Sequence, residues 1–349
     1  MTYPRRALRG FVRSCLLGLL AIGVAVGASG CSLRRSRQAA QSNSRASVKP
    51  PSRSRPSKTR VQRRQRQPRR SRARPSARQH GTGPNIAVAT TGGVRQVPLE
   101  RYVAGVVHSE MPGGWPLEAL KAQAVAVRTY ALWQRQRRAG QRYHVRSDVL
   151  DQVYRGRVDA DAPATKAAMA TRGQVLAWNG ELAHTYFHAA CGDHTASGQE
   201  VWGQEQPYLR GVRCGFCRDA GKQFRWSVHV DYSELNRSLK QTGVGQVKGL
   251  RMGSRLPSGR LRTVRIMCRG SQDIPATKLR ALVGYNRLPS TWISRIQPTS
   301  RGVTFTGQGH GHGVGMCQWG ARGMARQGAT AEQILARYYP GTRLTNYEL

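Results

Sequence analysis

Acidic residues are scarce in this chain of 349 residues, which has 17 Asp and Glu against 57 Lys and Arg, a net charge of +40. Residues 1–99 hold 22 of the basic residues and no acid, and in the remainder 35 basic residues face all 17 acids. So few acids fit chemistry that needs one carboxylate rather than a pair. The positive field predicts a polyanionic partner: nucleic acid, an anionic lipid surface or an acidic cell-wall polymer.

The N-terminus lacks an apolar run long enough for a comfortable transmembrane span. Its apolar stretch, residues 15–26, follows four arginines and ends at Ala28-Ser-Gly-Cys31. Residues 1–30 therefore predict a lipoprotein-type signal peptide, with Cys31 acylated after cleavage. The alternative is an ordinary secretory signal or an uncleaved anchor. Either way the mature chain works outside the cytoplasm, which excludes nucleic acid as a partner, and Ser32 favours the periplasmic face of an outer membrane.

Large apolar residues are almost absent from residues 31–84, which are rich in Arg, Ser, Gln, Pro and Ala. Such a segment cannot bury enough surface to offset its chain entropy, so we predict a disordered basic linker. The domain itself is expected at 85–349. It shows no internal repeat and no regular βαβ period, which excludes a doubly wound sheet and favours an α+β fold of short strands and helices.

Within the domain, residues 174–178 predict a strand, and Asn179-Gly180 predicts a hairpin turn with residues 182–188 as the return strand. Residues 330–339 predict a helix that begins after Thr330 as its N-cap.

Residues 99–133 are the segment around which we expect the domain to be built. Apolar residues recur at helical spacing in both halves, and the Met-Pro-Gly-Gly between them cannot continue a helix. Glu110 thus lies at the C-terminal end of the first helix, whose partial negative charge raises the pKa of a carboxyl group and suits it to act as a general acid. The alternative is an exposed helix-end glutamate. Glu118 lies in the first turn of the second helix and is assigned a structural role.

Cysteine and histidine concentrate between residues 188 and 217. His188, Cys191 and His194 precede the pair Cys214-Gly-Phe-Cys217. Three sulfurs and one imidazole nitrogen, from His188 or His194, form a recognisable zinc set. The alternative is a disulfide, which an oxidising envelope permits and which leaves one of the three cysteines unpaired; a third reading gives them neither role.

Elsewhere, Cys268 is expected to be a buried apolar thiol. Glycines at alternate positions in residues 307–315 let the backbone approach a ligand or another strand closely. No Lys-Ser/Thr follows, which excludes a phosphate-binding loop. The alternative to a ligand-binding loop is a tight loop in the core.

Three blocks of this sequence resemble the SpoIID/LytB family, which comprises stage II sporulation protein D and the amidase enhancers. They are LERYVAGVVHSEMPGGWPLEALKAQAVAVRTYAL at 99–132, TYFHAACGDHTASGQEVWGQEQPYLRGV at 185–212 and GQGHGHGVGMCQWGARGMARQGATAEQILARYYPGT at 307–342. Their order also matches, and they span about residues 95–344. Cys317 stands where relatives usually have serine, and His310 where they often have an aromatic residue.

The resemblance implies a cell-envelope lytic transglycosylase that cleaves the MurNAc–GlcNAc bond of peptidoglycan and leaves 1,6-anhydroMurNAc ends. The glutamate of the E-M-P motif, here Glu110, is the implied catalytic acid. Zinc near that glutamate is implied for some members. For Arg128, packing and a helix salt bridge are the alternative to a substrate contact. The implied substrate contacts are His312, Gln318, Trp319, Gln123, Arg128 and Tyr130.

The resemblance also implies a second function of a different class. A non-catalytic member would bind peptidoglycan and enhance an N-acetylmuramoyl-L-alanine amidase, which would then be its partner. The intact Glu110 in its motif favours the enzyme.

Overall fold

The computed structural model describes residues 83–348, so the predicted signal peptide at 1–30, Cys31 and nearly all of the linker at 31–84 lie outside the described residues. In the described part, short strands and helices follow one another without a regular βαβ period. This confirms the predicted α+β class. No helix within 83–348 combines the length and the apolar character that a membrane crossing needs.

Eight α-helices lie in the described part of the chain. They are α1 (Leu99–Glu110), α2 (Leu117–Arg137), α3 (Pro163–Ala170), α4 (Gly198–Trp202), α5 (Tyr232–Leu239), α6 (Ala276–Val283), α7 (Gln318–Arg326) and α8 (Ala331–Tyr338). Pro98 and Pro116 directly precede α1 and α2, where the missing N–H costs nothing. The predicted cap of α8 is confirmed, because the Thr330 hydroxyl accepts the Gln333 N–H at 3.3 Å.

The strands in residues 83–348 form five small sheets. They are β1 (Asn85–Thr90), β2 (Gly93–Pro98), β3 (Val145–Arg146), β4 (Gln174–Trp178), β5 (Glu181–Leu182), β6 (Phe187–His188), β7 (Arg225–Asp231), β8 (Gly249–Met252), β9 (Thr263–Met267), β10 (Ser271–Pro275), β11 (Ile293–Pro298), β12 (Gly302–Gln308), β13 (Met316–Cys317) and β14 (Arg343–Asn346). The strand orders are β2-β1-β3, β14-β4-β5, β13-β6, β10-β9-β8 and β11-β12-β7.

Helix α2 is the centre of the first of two hydrophobic cores. It is buried along most of its length and packs against α1, α3, α7, α8 and β4. Alanine is its most frequent residue, and such small side chains allow neighbouring elements to approach on several sides. The elbow to α1 is closed by the Met111 N–H on the Val107 carbonyl at 2.9 Å and the Trp115 N–H on the Pro112 carbonyl at 3.1 Å. This packing fixes Glu110 at the end of α1.

A second hydrophobic core lies within residues 225–308. It is formed by β7–β12 with α5 and α6, and includes Trp226, Leu250, Ile266 and Phe305. Two three-stranded antiparallel sheets supply its apolar faces. The two cores meet at hydrogen bonds such as that from the Trp226 indole N–H to the Gly309 carbonyl, at 2.8 Å.

The hairpin turn predicted at Asn179-Gly180 is confirmed by φ angles of 51° and 83°. The predicted return strand at 182–188 is wrong, however, because it divides into β5 and β6, which join different sheets. Between them the chain turns into the first core, where the Thr185 hydroxyl donates to the Ala126 carbonyl of α2 at 2.8 Å. This inward turn prevents residues 182–188 from forming one continuous strand. The strand β6 then pairs in parallel with β13.

Candidate active site and cysteine centre

Glu110 is the last residue of α1, and its carboxylate accepts two hydrogen bonds from distant parts of the chain. The Val153 N–H donates to one oxygen at 3.2 Å, and the Gln318 side-chain amide donates to the other at 3.4 Å. Gln318 is the first residue of α7 and was predicted to contact substrate. In the structure it contacts the candidate acid, 208 residues away.

Burial raises the pKa of Glu110 above its ordinary value, since the charged form loses solvation. The bonds from Val153 and Gln318 and the positive charge of Arg155 act in the opposite direction. The sequence predicted a raised pKa from the end of the helix, whereas burial is the largest cause here. A carboxyl group with a raised pKa keeps its proton closer to neutral pH, as a general acid requires.

Glu118, the nearby acid on α2, has a different environment. Its carboxylate accepts the Lys121 ammonium at 2.7 Å and the N–H of Ala331, the first residue of α8, at 2.8 Å. The bond to Lys121 lowers its pKa. These contacts tie α2 to α8 and fit the structural role expected of it.

Two tryptophans lie on the two segments that meet at the candidate acid. Trp319 follows Gln318, and its ring centroid lies 4.9 Å from that of Trp115 in the elbow after Glu110. The Arg322 guanidinium lies 4.8 Å from the Trp319 ring centroid and 5.7 Å from that of Trp115. The Trp319 indole N–H donates to the side-chain oxygen of Gln223. Both rings are partly exposed, so they can present an aromatic face to a ligand.

His312 is tied to the backbone through both ring nitrogens. Its Nε2 lies 2.9 Å from the Phe187 carbonyl oxygen, and its Nδ1 accepts the Val314 N–H at 3.1 Å. Burial, together with the positive charge of Arg280, lowers the pKa of His312 to about 3, so the ring is neutral. The ring can offer a ligand its face or edge, while its nitrogens hold the glycine-rich loop against β6.

The three α2 residues predicted to touch substrate are buried. Arg128 is 0% exposed and donates two hydrogen bonds to the Glu100 carboxylate, at 2.9 and 2.6 Å. It therefore holds α1 to α2, which corrects its predicted substrate contact. Tyr130 is also directed inward, with its hydroxyl donating to Asp151 at 2.6 Å. The Gln123 side chain is buried with no hydrogen-bond partner among the described residues.

Four buried cysteines converge on one point: Cys191, Cys214, Cys217 and Cys317 have their sulfur atoms within 4.8 Å of one another. The sulfur atoms of Cys191 and Cys217 lie 3.4 Å apart, and no cysteine in residues 83–348 forms a disulfide. The convergence of four sulfurs favours the metal-site prediction over the disulfide alternative. A tetrahedral ion with metal–sulfur bonds of about 2.3 Å would hold its sulfurs about 3.8 Å apart. The spacing of the four sulfurs is compatible with such an ion.

The fourth sulfur corrects the prediction that a histidine completes the set. The Nδ1 of His188 lies 3.1 Å from the Val314 carbonyl oxygen, and that of His194 lies 2.7 Å from the Thr195 carbonyl oxygen. Neither histidine belongs to the group of converging ligand atoms, whereas Cys317 does. Parallel pairing of β6 with β13 brings Cys317 near Cys191 across 126 residues. The available signal was the cysteine at the usual serine position in the glycine-rich block.

Cys268 is half-buried, which corrects its expected burial. It directly follows β9, and its N–H donates to the Gly270 carbonyl at 3.1 Å in a turn towards β10. That turn lies at the margin of the second core.

Comparison with known proteins places these features in a family context. Residues 88–178 match the model of the stage II sporulation protein, SpoIID, and residues 209–315 match that of a domain of unknown function, DUF8618. The chain is 37% identical over 257 residues to an uncharacterized protein of Brachyspira hyodysenteriae. This match covers 73% of this chain and 68% of that protein.

Two relatives from Bacillus subtilis carry functional names. The amidase enhancer is 30% identical over 291 residues, a match that covers 70% of this chain but 40% of that protein's length. Stage II sporulation protein D is 28% identical over 272 residues, covering 72% of this chain and 76% of that protein.

Proposed function

This chain belongs to the SpoIID/LytB family, and from that premise we propose that it is a lytic transglycosylase acting on the glycan strands of peptidoglycan. The observation that carries the proposal is Glu110, a partly buried carboxyl group with a raised pKa, whose partner Gln318 directly precedes Trp319, one of two packed and partly exposed tryptophans. A proton donor next to aromatic faces suits a sugar substrate.

A single carboxyl group can complete the proposed reaction. The Glu110 carboxyl protonates the glycosidic oxygen between MurNAc and GlcNAc, the bond from that oxygen to the muramyl C1 breaks, and GlcNAc leaves with a hydroxyl group. The Glu110 carboxylate then takes the proton of the muramyl C6 hydroxyl while O6 bonds to C1. The product is a 1,6-anhydro sugar, the acid is restored, and no water is consumed. The paired carboxylates of most glycosidases are not required.

Gln318 and the Val153 N–H support the middle of this cycle. Both donate hydrogen bonds to Glu110, and such bonds favour the ionised carboxylate. They therefore stabilise the state in which Glu110 has given up its proton and must act as a base. Burial favours the protonated state that begins the cycle. The balance of the two effects lets one residue serve as acid and then as base.

We propose zinc as the ion of the four-cysteine centre, with Cys191, Cys214, Cys217 and Cys317 as its ligands. Four cysteine sulfurs in a tetrahedron are one of the ligand sets of structural zinc, and a site whose four ligands all come from protein has a structural role. Cys317 caps α7 by accepting the Gly320 N–H at 3.2 Å and precedes Gln318 directly. Fixing this sulfur would therefore fix the residue that holds Glu110.

The predicted lipid anchor at Cys31 and the placement in the cell envelope, on the periplasmic face of an outer membrane, complete the proposal. The anchor would leave the domain on a basic tether within reach of the wall. The alternative function, enhancement of an amidase, is suggested by the name of one relative.

The experiment compares products from the purified mature chain and its Glu110→Gln variant on glycan strands with and without stem peptides, analysed by mass spectrometry. We expect 1,6-anhydroMurNAc ends from the wild type and a rate lower by about 10²–10⁴-fold in the variant. Glu118→Gln is the matched control and should retain activity. If glycan strands bind to the wild type but are not cleaved, the proposed enzymatic activity is wrong. Stimulation of an amidase would then support the alternative function.

A further inference from the structure

Arg260 is a buried cation for which residues 83–348 supply no ion-pair partner within 4.0 Å. Its side chain is 0% exposed, although a guanidinium keeps its charge in proteins. It belongs to the 254–262 loop between β8 and β9, in the second core, and it extends into the first. Burying such a charge is costly unless negative charge lies nearby.

The guanidinium contacts the segment that carries the first metal-binding cysteine. It donates to the Cys191 carbonyl at 2.8 Å and to the His194 carbonyl at 2.9 Å, while its Nε has no partner in the described part of the chain. Gly313 of the glycine-rich loop makes room for it, because a Cβ at that position would lie 2.2 Å from an Arg260 nitrogen. The guanidinium of Arg260 thus lies between its own loop, the segment from Cys191 to His194 and the glycine-rich loop.

The guanidinium lies against the four-cysteine cluster, because it donates to the carbonyl of Cys191, one of the four residues whose sulfur atoms converge. The acid Glu200 contacts the same loop as Arg260 at Ser258. Glu200 is already engaged, since its oxygens accept the N–H groups of Ser197 and Ser258, both at 2.9 Å. A divalent ion bound by four thiolates keeps two negative charges, which a buried guanidinium would offset.

We propose that Arg260 is the counter-cation of the four-cysteine metal centre, and that through it metal binding fastens the second core to the first. The inference rests on the proposed metal centre. Metal loading would supply the negative charge that makes the burial of Arg260 favourable, and Arg260 would in turn strengthen metal binding. Partners of this kind, beyond the ligands themselves, typically change metal affinity by about 10–100-fold.

The test loads the full chain with ferrous iron, which four thiolates also bind, and measures the reduction potential of the site. The ferrous site carries one more negative charge than the ferric site, so loss of the Arg260 charge should disfavour reduction. In Arg260→Gln we expect the preference for the ferrous ion to fall about tenfold, a potential lower by about 59 mV. Arg260→Lys keeps the charge and should stay near the wild type, although it loses hydrogen bonds.

Arg280→Gln is the matched control. Arg280 is also buried in the second core and donates to two carbonyls, of Leu288 and Pro289, both at 2.9 Å. Its variant should leave the potential near the wild-type value. An unchanged potential in Arg260→Gln, or a fall of equal size in Arg260→Lys, would overturn the inference while the metal centre stands. A wild-type chain that binds no iron and no zinc would overturn the metal centre and the inference together.

Metal removal gives a second measurement that needs no variant. Chelation should speed amide hydrogen exchange in the 254–262 loop, where the Leu256 N–H donates to the Arg260 carbonyl at 2.8 Å and the Arg262 N–H to the Ser254 carbonyl at 2.8 Å. This loop contains no metal ligand. If chelation removes the metal but exchange in this loop does not change, the proposed coupling between metal binding and Arg260 is wrong.

Discussion

The two hydrophobic cores of this protein differ in how they treat charge. Residues 225–308, which hold the second core, have 15 Lys and Arg against three Asp and Glu, and those three acids form half-exposed or exposed pairs with Arg265, Arg287 and His229. The rest of residues 85–349 has 21 basic and 14 acidic residues. There, Glu100 and Glu110 are drawn inward to specific partners.

In the proposed function, this difference separates the reacting group from the part of the domain that supports it. Partial burial in the first core raises the pKa of Glu110, while the donors Val153 and Gln318 hold its carboxylate in place. The second core has no comparable group among its described residues and leaves most of its charge in solvent. Its excess of positive charge suits attraction to an anionic wall polymer rather than reaction with one. Arg260 and Arg280 are buried exceptions, and Arg260 differs from Arg280 in donating to carbonyls of the segment that carries Cys191.

The largest effect that we expect from this comparison is on stability. Arg128→Met should lower the free energy of unfolding by about 3–5 kcal/mol, because it leaves the Glu100 carboxylate and the Ala168 and Gln174 carbonyls without their donor. Denaturant unfolding measures the change. Arg265→Ala is the matched control in the second core, where the pair with Asp273 is exposed and contributes little. Equal destabilisation by both variants would contradict the distinction between the cores.

A smaller effect should appear in the pH dependence of activity. Gln318→Leu removes a hydrogen bond that lowers the pKa of Glu110, so that pKa should rise further. Since a general acid is active when protonated, the pH at which kcat/KM begins to fall should move upward, with a reduced kcat because the carboxylate is less stabilised as a base. Gln327→Leu, at the exposed end of α7, should leave the profile unchanged. A downward move in Gln318→Leu would contradict the assigned contact.

Sequence reasoning found the parts of the first core whose signals are local. The elbow around Glu110 follows from apolar spacing and from Pro-Gly-Gly, and the start of α8 follows from Thr330 as its N-cap. It did not find the partners of those parts, because they lie far away along the chain. Cys317 joins Cys191 through one short pair of parallel strands, and a single residue further on Gln318 contacts Glu110.

The second core was harder to interpret for a different reason. Several of its strands, such as β9 and β12, alternate buried residues with more exposed ones. However, no motif showed that these elements form a separate core, or that the Arg260 side chain extends from this core into the first one. Arginine is normally a surface residue, and in a chain with a net charge of +40 one buried arginine has no sequence signal of its own.

The most direct test of the account is whether cleavage consumes water. Strands digested by the mature chain in ¹⁸O-labelled water should give 1,6-anhydro products that carry no label, since O6 of the same sugar closes on C1 while Glu110 moves both protons. Incorporation of one ¹⁸O at each new muramyl C1 would mean hydrolysis. A second group would then have to activate water, and the central claim, that the single carboxyl group of Glu110 suffices, would be wrong.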